Sequence, residues 1–284
     1  MEVVKTSAQL AAKITGLKAS GKSVGFVPTM GALHQGHLSL VKEAGRLCDV
    51  VVVSVFVNPT QFNNPEDLSR YPRDIEKDTA LLRETACELL FVPSVKEVYP
   101  EPDTRVFDFG LIDKVMEGRF RPGHFIGVAQ VVSRLFDIVK PHKAFFGAKD
   151  FQQIAVVREM VRQLNLNVQI VDCPIVREKD GLAMSSRNLL LNAEQRKKAP
   201  LIAHSLFDSC NFALTNGVEE TRQMVIDAIN ASNGLEVEYF EIVDGNTLQP
   251  VTMWEDSDFI VGCIAVYVGK IRLIDNVVYK NSMS

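Results

Sequence analysis

Apolar runs alternate with helical patterns along the first part of the chain. Short apolar runs predict strands at residues 24–28, 51–57, 88–93, 143–147 and 168–172. Apolar positions three and four residues apart predict helices at residues 36–47, 75–85, 127–139 and 151–164. The run at 51–57 is apolar at nearly every position, which is typical of a strand buried on both faces of a parallel sheet. Repeated strand–helix–strand units predict a doubly wound sheet.

The two ends of the chain differ from this pattern. Residues 1–20 have the spacing of an amphipathic helix and lack the apolar stretch of a signal peptide. Residues 192–231 predict two helices, and short alternating runs that predict an antiparallel sheet follow from residue 237. We therefore expect a Rossmann-like α/β domain at residues 1–176 and a smaller α+β lid domain at residues 177–284.

Composition narrows the functional class. Hydrophobic residues make up 46% and charged residues 23%, as in globular proteins with a buried core. The net charge of −4 argues against a broad nucleic-acid surface. No apolar run reaches the roughly 18 residues that span a bilayer. Five scattered cysteines without a C-x-x-C pair favour reduced thiols in the cytoplasm.

A pair of histidines follows the first predicted strand, in the segment PTMGALHQGH at residues 28–37. His34 and His37 are three residues apart, so one helical turn places both imidazoles on the same side. Gly31 and Gly36 allow a ligand close to the backbone, and the helix N-terminus offers N–H groups to an anion. These features predict a phosphate site. The alternative is a pair of structural histidines, alone or with a metal.

Two amides follow the buried strand at 51–57. Asn58 and Gln61 are suited to bind hydroxyls and a carboxylate, although a capped loop explains the same residues. Further along, Asp74 and Asp78 lie one helical turn apart. We interpret this pair as a solvated helix face rather than a Mg²⁺ site.

A Gly/Pro turn precedes the third predicted helix, in the segment FRPGHFIGV. Arg121 and His124 lie in this turn, which is interpreted as another strand-to-helix connection that can carry site residues. We interpret the apolar residues that follow as core, with a ligand wall as the alternative; they include Val128, Val131 and Val132.

The segment FFGAKDFQQ lies at another strand end. Gly147 allows close approach, Lys149 carries a mobile positive charge, and Asp150 is suited to ribose hydroxyls unless it only caps the helix. Gln153 lies one turn further, on the side of Asp150.

The segment GLAMSSRNLLL lies at the predicted domain junction. Ser185, Ser186 and Arg187 offer two hydroxyls and a planar cation to nucleotide phosphates. A capped helix start is the alternative, with Asn192 as a rival cap.

A G-x-G-x-x-G after the first strand and a serine elbow are absent from the sequence. The letters G-x-x-x-x-G-K-S do occur at residues 16–23, but they end a predicted helix and precede a strand, whereas a P-loop follows a strand and opens a helix. The candidate residues are cations, amides and hydroxyls, without an obvious protein nucleophile. This set fits adenylyl transfer, in which a substrate carboxylate attacks the α-phosphorus of ATP.

His34 and His37 with the MSSR tetrapeptide resemble the HxGH nucleotidyltransferase superfamily. PTMGALHxGH, VNPxQF, RPGHFxGV, GxKDxQQ and MSSRN, in this order, closely resemble the pantothenate synthetase (pantoate–β-alanine ligase) family over essentially the whole chain. The resemblance implies an ATP-dependent ligase that converts (R)-pantoate to pantoyl adenylate, releasing pyrophosphate. β-Alanine then displaces AMP to give pantothenate. The resemblance also implies a cytoplasmic homodimer. It implies Mg²⁺ held largely by phosphate oxygens, with no protein ligand assigned.

The resemblance also assigns residues. It implies catalytic roles for His34, His37, Lys149 and Arg187, with His37 as proton donor and charge stabiliser. It implies that ATP is bound by Met30, Gly31, Ala32, Leu33, His34, Gln35, Gly36, His37, Gly147, Ala148, Lys149, Asp150, Val176, Met184, Ser185, Ser186 and Arg187. It implies that pantoate is bound by Gln61, Gln153, Asn58 and Arg121, and β-alanine by Gln61.

Two other functions are weighed against this one. A related enzyme with a phosphate-ester acceptor should carry extra Arg or Lys in place of the two glutamines. A nucleotide sensor on a degenerate enzyme fold should lack His37, Lys149 or Arg187, and all three are present.

Overall fold

The computed structural model describes residues 1–62 and 65–282. Its strands are β1 (Glu2–Val4), β2 (Val24–Thr29), β3 (Val50–Val55), β4 (Cys87–Phe91), β5 (Lys143–Gly147), β6 (Gln169–Cys173), β7 (Leu235–Asp244), β8 (Phe259–Val268) and β9 (Ile271–Asn281). Its α-helices are α1 (Ser7–Ala19), α2 (Gln35–Leu47), α3 (Pro65–Arg70), α4 (Ile75–Arg83), α5 (Val95–Val98), α6 (Met116–Phe120), α7 (His124–Val139), α8 (Phe151–Gln163), α9 (Ala193–Lys198), α10 (Leu201–Phe212) and α11 (Val218–Asn230).

Six parallel strands form the larger sheet, in the order β1-β4-β3-β2-β5-β6. Three antiparallel strands, β7-β8-β9, form the smaller sheet. The predicted fold class, a doubly wound parallel sheet followed by a smaller α+β part, is confirmed. From β2 the chain adds strands in one direction to β4, and later in the other direction to β6. The strand order therefore reverses between β2 and β5, where open α/β sheets bind ligands.

Helices cover both faces of the larger sheet. Val27 of β2 lies in the core cluster that includes Val41 and Ala44 of α2. Phe26, the preceding residue of β2, points to the opposite face and packs edge-on against Phe136 of α7, with ring centroids 6.2 Å apart. A strand covered on both faces must be apolar at successive positions, which explains the continuous apolar runs in the sequence.

By their internal contacts the described residues form two compact units. The first comprises Met1–Phe109, Arg121–Ala148 and Gln153–Pro174, and the second Gly110–Phe120, Lys149–Gln152 and Ile175–Ser284. Two short segments from the early part of the chain therefore group with the second unit, which the sequence pattern did not indicate. The domain boundary expected between residues 176 and 177 stays a prediction.

The smaller sheet packs against helices α10 and α11 in the second unit. Its core includes Ile202 and Leu206 of α10, Ile229 of α11 and Phe240 of β7, all fully or almost fully buried. Glu117 of the early segment Gly110–Phe120 accepts hydrogen bonds from the Arg272 guanidinium at 2.6 and 2.9 Å. This buried charge pair joins α6 to β9.

Four predictions of local structure are wrong. The first residues are not all helical, because Glu2–Val4 form β1, which pairs with β4. The apolar run at 51–57 is strand only to Val55, where pairing with Thr29 of β2 ends. Residues 192–231 form three helices rather than two, since Pro200 separates α9 from α10. The turn before α7 follows helix α6, so it is not a strand-to-helix connection.

All five cysteines are described and are free thiols; four are buried and Cys210 is partly buried. No helix among the described residues is long and apolar enough to cross a membrane.

Candidate active site

The histidine turn of the first unit stands at the carboxyl end of β2, beside the point where the strand order reverses. His34 is the N-cap of α2, and its Nδ1 accepts a hydrogen bond from the Gly36 N–H at 3.2 Å. His37 Nδ1 accepts from the His34 N–H at 3.3 Å. The two ring centroids are 4.1 Å apart, so the prediction that both imidazoles lie together is confirmed.

These bonds determine the tautomers of both rings. An imidazole nitrogen that accepts a hydrogen bond carries no proton, so the proton of neutral His34 and of neutral His37 lies on Nε2. Each ring therefore presents Nε2–H as a donor. Two donors at a helix N-terminus suit the oxygens of a phosphate.

A buried carboxylate supports the turn before these histidines. Gly31 and Ala32 both have positive φ, 83° and 50°. This conformation directs the N–H groups of Ala32 and Leu33 to the two oxygens of Asp78, at 3.0 and 2.7 Å. A Cβ on Gly31 would lie 2.9 Å from an Asp78 oxygen, so glycine is required there.

The sequence suggested that Asp78 lies on a solvated helix face, and this interpretation is wrong. It is 1% exposed, and burial raises the pKa of its carboxyl. Asp74, one turn earlier, is exposed and caps α4 by accepting the Lys77 N–H at 2.9 Å. The helical spacing is as predicted, but it gives no sign of the long-range contact with residues 32 and 33.

The amide pair lies at the carboxyl end of β3. Asn58 is 1% exposed, and its Nδ2 donates to the Gly127 carbonyl at 3.1 Å and to Gln61 Oε1 at 3.3 Å. Asn58 Oδ1 accepts from the Tyr99 hydroxyl at 3.0 Å, since burial raises the pKa of Tyr99 and keeps it protonated. Asn58 thus caps the short 3₁₀ helix Pro59–Gln61 and orients its neighbour, so the capped-loop alternative describes it well.

Gln61 is the member of the pair that faces Met30. Its Nε2 lies 3.1 Å from the Met30 sulfur. The close approach of α7 behind it requires Gly127, because a Cβ there would lie 2.6 Å from the Thr60 carbonyl oxygen. The first unit therefore brings two predicted site residues into contact.

Arg121 and His124 also join this group. The Arg121 guanidinium can only donate, so its 3.2 Å contact makes His124 Nε2 an acceptor. The proton of His124 then lies on Nδ1, which donates to the Gln61 carbonyl at 2.9 Å. His124 is buried and links the guanidinium to the backbone of the amide turn. Val128, Val131 and Val132 are buried, as expected of core residues.

The remaining predicted residues of the first unit lie at the end of β5 and at the start of α8. Gly147 ends β5 and Ala148 follows it, on the other side of the strand-order reversal from β2. Gln153 is partly exposed on the first turn of α8.

In the second unit, Lys149 Nζ lies 3.1 Å from Asp150 Oδ1. The Lys149 side chain is largely buried and Asp150 is exposed. The carbonyl of Lys149 accepts a hydrogen bond from Asn276 Nδ2 at 3.0 Å.

A short hairpin carries the other predicted residues of this unit. The Val176 carbonyl accepts the Met184 N–H at 3.0 Å, and Arg177 bridges Ala183 in antiparallel fashion. Ser185 then caps the 3₁₀ helix Ser186–Leu190 by accepting the Arg187 N–H at 3.2 Å. Asn192 caps α9, so both candidate caps are used, each on its own helix.

Four residues support these groups although sequence reasoning gave none of them this role: Asp78, Tyr99, Asp275 and Asn276. Only the last two had a local signal, since they form a polar pair inside the apolar run IRLIDNV. Among the described residues, no group of three His, Cys, Asp or Glu side chains is arranged to hold a metal ion.

Comparison with known proteins gives consistent results. The family model described as pantoate-beta-alanine ligase matches residues 2–278. A pantothenate synthetase of Bacteroides fragilis (strain YCH46) is 58% identical over 282 residues, which cover 99% of this chain and 100% of the relative. The solved pantothenate synthetase of Thermus thermophilus superimposes with a TM-score of 0.93 at 46% identity, covering 99% of this chain and 100% of that one.

A third similar protein carries ligands. The pantoate-beta-alanine ligase of Francisella tularensis, solved in complex with beta-gamma ATP and beta-alanine, has a TM-score of 0.82 at 35% identity. The match covers 100% of both chains.

Proposed function

The chain belongs to the pantoate–β-alanine ligase family, and on this premise we propose how its residues divide the reaction between them. The protein condenses (R)-pantoate with β-alanine in an ATP-dependent reaction that forms an amide bond. The pantoate carboxylate attacks the α-phosphorus of ATP, giving pantoyl adenylate and pyrophosphate. The β-alanine amine then attacks the acyl carbon and displaces AMP, which leaves pantothenate.

The histidine turn is the observation that carries the proposal for the first step. Its two Nε2–H donors stand at the N-terminus of α2, at the strand-order reversal. In this proposal they bind ATP phosphate oxygens together with Met30 and the backbone of residues 31–36. His37 stabilises the charge that develops as pyrophosphate leaves by donating a hydrogen bond from Nε2–H, which keeps its proton. Donors held in advance by backbone bonds do not need to reorganise during the reaction.

In the second unit we assign Lys149 to the reacting phosphate and Asp150 to the ribose. Gly147 and Ala148, which precede them in the chain and belong to the first unit, are assigned to ATP as well. Val176 and Met184 are assigned to the adenine side of ATP. Ser185, Ser186 and Arg187 are assigned to the outer phosphates. The Ser185 cap supports this role, because its side chain accepts the Arg187 N–H and so fixes the backbone from which the Arg187 side chain extends.

The acid is assigned to four side chains: Gln61, Gln153, Asn58 and Arg121. Gln61 Nε2 is a neutral donor for a hydroxyl or carboxylate oxygen, and its Oε1 is turned towards Asn58. Neutral amides suit a weakly charged acid better than a phosphate ester. Asn58 and Arg121 act mainly by orienting the Gln61 turn, the latter through His124. Gln61 also serves β-alanine in the second step.

Mg²⁺ is proposed to accompany ATP, held mostly by phosphate oxygens, and to neutralise phosphate charge when bound. Asp74 and Asp78, the two carboxylates weighed as Mg²⁺ ligands in the sequence, fit this arrangement. Both oxygens of Asp78 accept backbone N–H groups, and Asp74 caps a helix. Neither is arranged as a direct metal ligand.

The enzyme is further proposed to act in the cytoplasm as a homodimer. Five free thiols fit a reducing compartment. The dimer rests on the family resemblance, and sedimentation equilibrium measures it directly.

The two proposed steps are tested by measuring the release of pyrophosphate and the release of AMP separately. Purified protein with ATP and Mg²⁺ should release pyrophosphate only when (R)-pantoate is added. AMP should appear only after β-alanine follows. Pyrophosphate release without pantoate, or none with it, contradicts the proposed function.

A further inference from the structure

Strand β9 carries two buried polar residues in an apolar context. Asp275 and Asn276 are 4% and 5% exposed, and they pair with Ile264 and Cys263 of β8. Successive residues of a strand point to opposite faces of the sheet, so the two side chains need separate partners. Burying a polar group without a hydrogen-bond partner costs free energy, and both of these side chains have partners.

Asp275 is held by Arg177. The guanidinium makes two hydrogen bonds to the carboxylate, at 2.6 and 3.0 Å. Arg177 also donates to the Gly181 carbonyl at 3.1 Å, within its own hairpin, and to the Asn276 carbonyl at 3.3 Å. A planar guanidinium matches a carboxylate in this paired geometry. The hairpin of residues 176–184 is thereby attached to β9.

Asn276 extends the same connection to Lys149. Its backbone N–H donates to Asp275 Oδ1 at 2.8 Å, and its side-chain Nδ2 donates to the Lys149 carbonyl at 3.0 Å. All these residues belong to the second unit. A fixed carbonyl fixes the point from which the lysine side chain extends.

We propose that Asn276 is a positioning residue for the adenylation step: it holds the main chain of Lys149 so that Nζ meets the developing phosphate charge. The ion pair of Arg177 and Asp275 keeps Asn276 in place. The inference rests on the role proposed for Lys149, and Asn276 itself does not touch substrate. A small misplacement of a charge-stabilising group is enough to slow a reaction greatly.

Asn276→Asp tests the proposal, because it keeps the shape and replaces the donor by a carboxylate oxygen facing the Lys149 carbonyl. We expect kcat for pantoate-dependent pyrophosphate release to fall about tenfold, while the KM for ATP changes less than about twofold. Asn276→Ala removes the donor without adding charge and should give the same pattern. Asn246→Asp, at an exposed position of the same unit, should leave both constants unchanged.

A double-mutant cycle with Lys149→Ala distinguishes positioning from folding. If Asn276 acts through Lys149, adding Asn276→Asp to Lys149→Ala should change the rate less than about twofold. Equal loss in both backgrounds overturns the proposal, and so does normal kcat in folded Asn276→Asp and Asn276→Ala proteins. Lys149→Ala alone at wild-type rate overturns the proposed function of Lys149 and this inference with it, whereas the first two outcomes leave that function intact.

Discussion

In the first unit the histidine turn and the amide pair stand where parallel strands end, whereas in the second unit the candidate residues stand on loops that specific side chains hold. The turn before α2 follows β2, and the amide pair follows β3; β3 is paired on both sides and β2 lies between β3 and β5. The loop at Lys149 and the hairpin after Val176 instead depend on Asn276 and on the ion pair of Arg177 and Asp275.

The difference predicts how each unit tolerates substitution. Main-chain ladders form with many residue types, so the strand ends keep their places when one side chain changes. A buried ion pair depends on both partners, because removing one leaves the other charged and unpaired. The second unit should therefore be the more sensitive to single polar substitutions outside the site.

The largest effect is expected for Arg177→Ala. It leaves the buried Asp275 carboxylate without its guanidinium and should lower the free energy of unfolding by about 3–5 kcal/mol. Arg196→Ala is the matched control, because its pairs with Glu178 and Asp180 are partly exposed and worth about 1 kcal/mol or less. Urea denaturation measures both, and equal losses would contradict the proposed dependence of the second unit on its buried ion pair.

Both units should nevertheless contribute to turnover. His37→Ala in the first and Lys149→Ala in the second should each lower kcat by roughly 10²-fold or more, since each removes a group proposed to stabilise charge in the transition state. His204→Ala and Lys197→Ala, at exposed positions, should leave kcat unchanged. Near wild-type turnover in both site variants would refute the roles assigned to them.

Asp78→Asn examines whether the first unit also contains a sensitive carboxylate. Asparagine has one acceptor oxygen, so the N–H of Ala32 or of Leu33 loses its partner, and we expect turnover to fall about tenfold. Asp74→Asn should have almost no effect, because asparagine caps helices as well as aspartate.

The same variant should show a pH trend in stability. Burial raises the pKa of Asp78 in the folded protein, so its contribution to stability is fullest below the unfolded pKa of about 4 and declines as pH rises through the folded value. Lowering the pH from 7 should therefore stabilise the wild type relative to Asp78→Asn. If the wild type instead loses stability relative to Asp78→Asn as the pH falls, hydrogen bonding outweighs burial in setting the pKa of this carboxyl.

Tyr99→Phe should have the smallest effect. Asn58 Oδ1 also accepts from Thr60, so loss of the Tyr99 hydroxyl leaves it bonded. We expect the KM for pantoate to rise two- to threefold, about 0.5 kcal/mol, with kcat unchanged. Tyr267→Phe removes a comparable hydroxyl bonded to Glu238 in the second unit and should not change this KM. An effect of tenfold would mean that Tyr99 alone orients Asn58.

Local sequence patterns were most informative where one periodicity extends over many residues. The strand predicted at 143–147 has those bounds in the structure, and α8 differs by one residue at its end. Strand β1 was missed because three residues are too few to show alternation within a helical stretch. It exists because its backbone pairs with β4, more than eighty residues later in the chain.

The sequence by itself determined the alternation of strands and helices, and with it the placement of histidines, amides and the lysine loop beyond strand ends. It also determined the chemical types available for binding a nucleotide and an acid. Only the tertiary structure decided which polar residues support them. Asp78 reaches residues 32 and 33, and Asn276 reaches Lys149, across long stretches of chain. Such contacts leave no local period, because they arise when separate elements pack and buried polar groups must find partners.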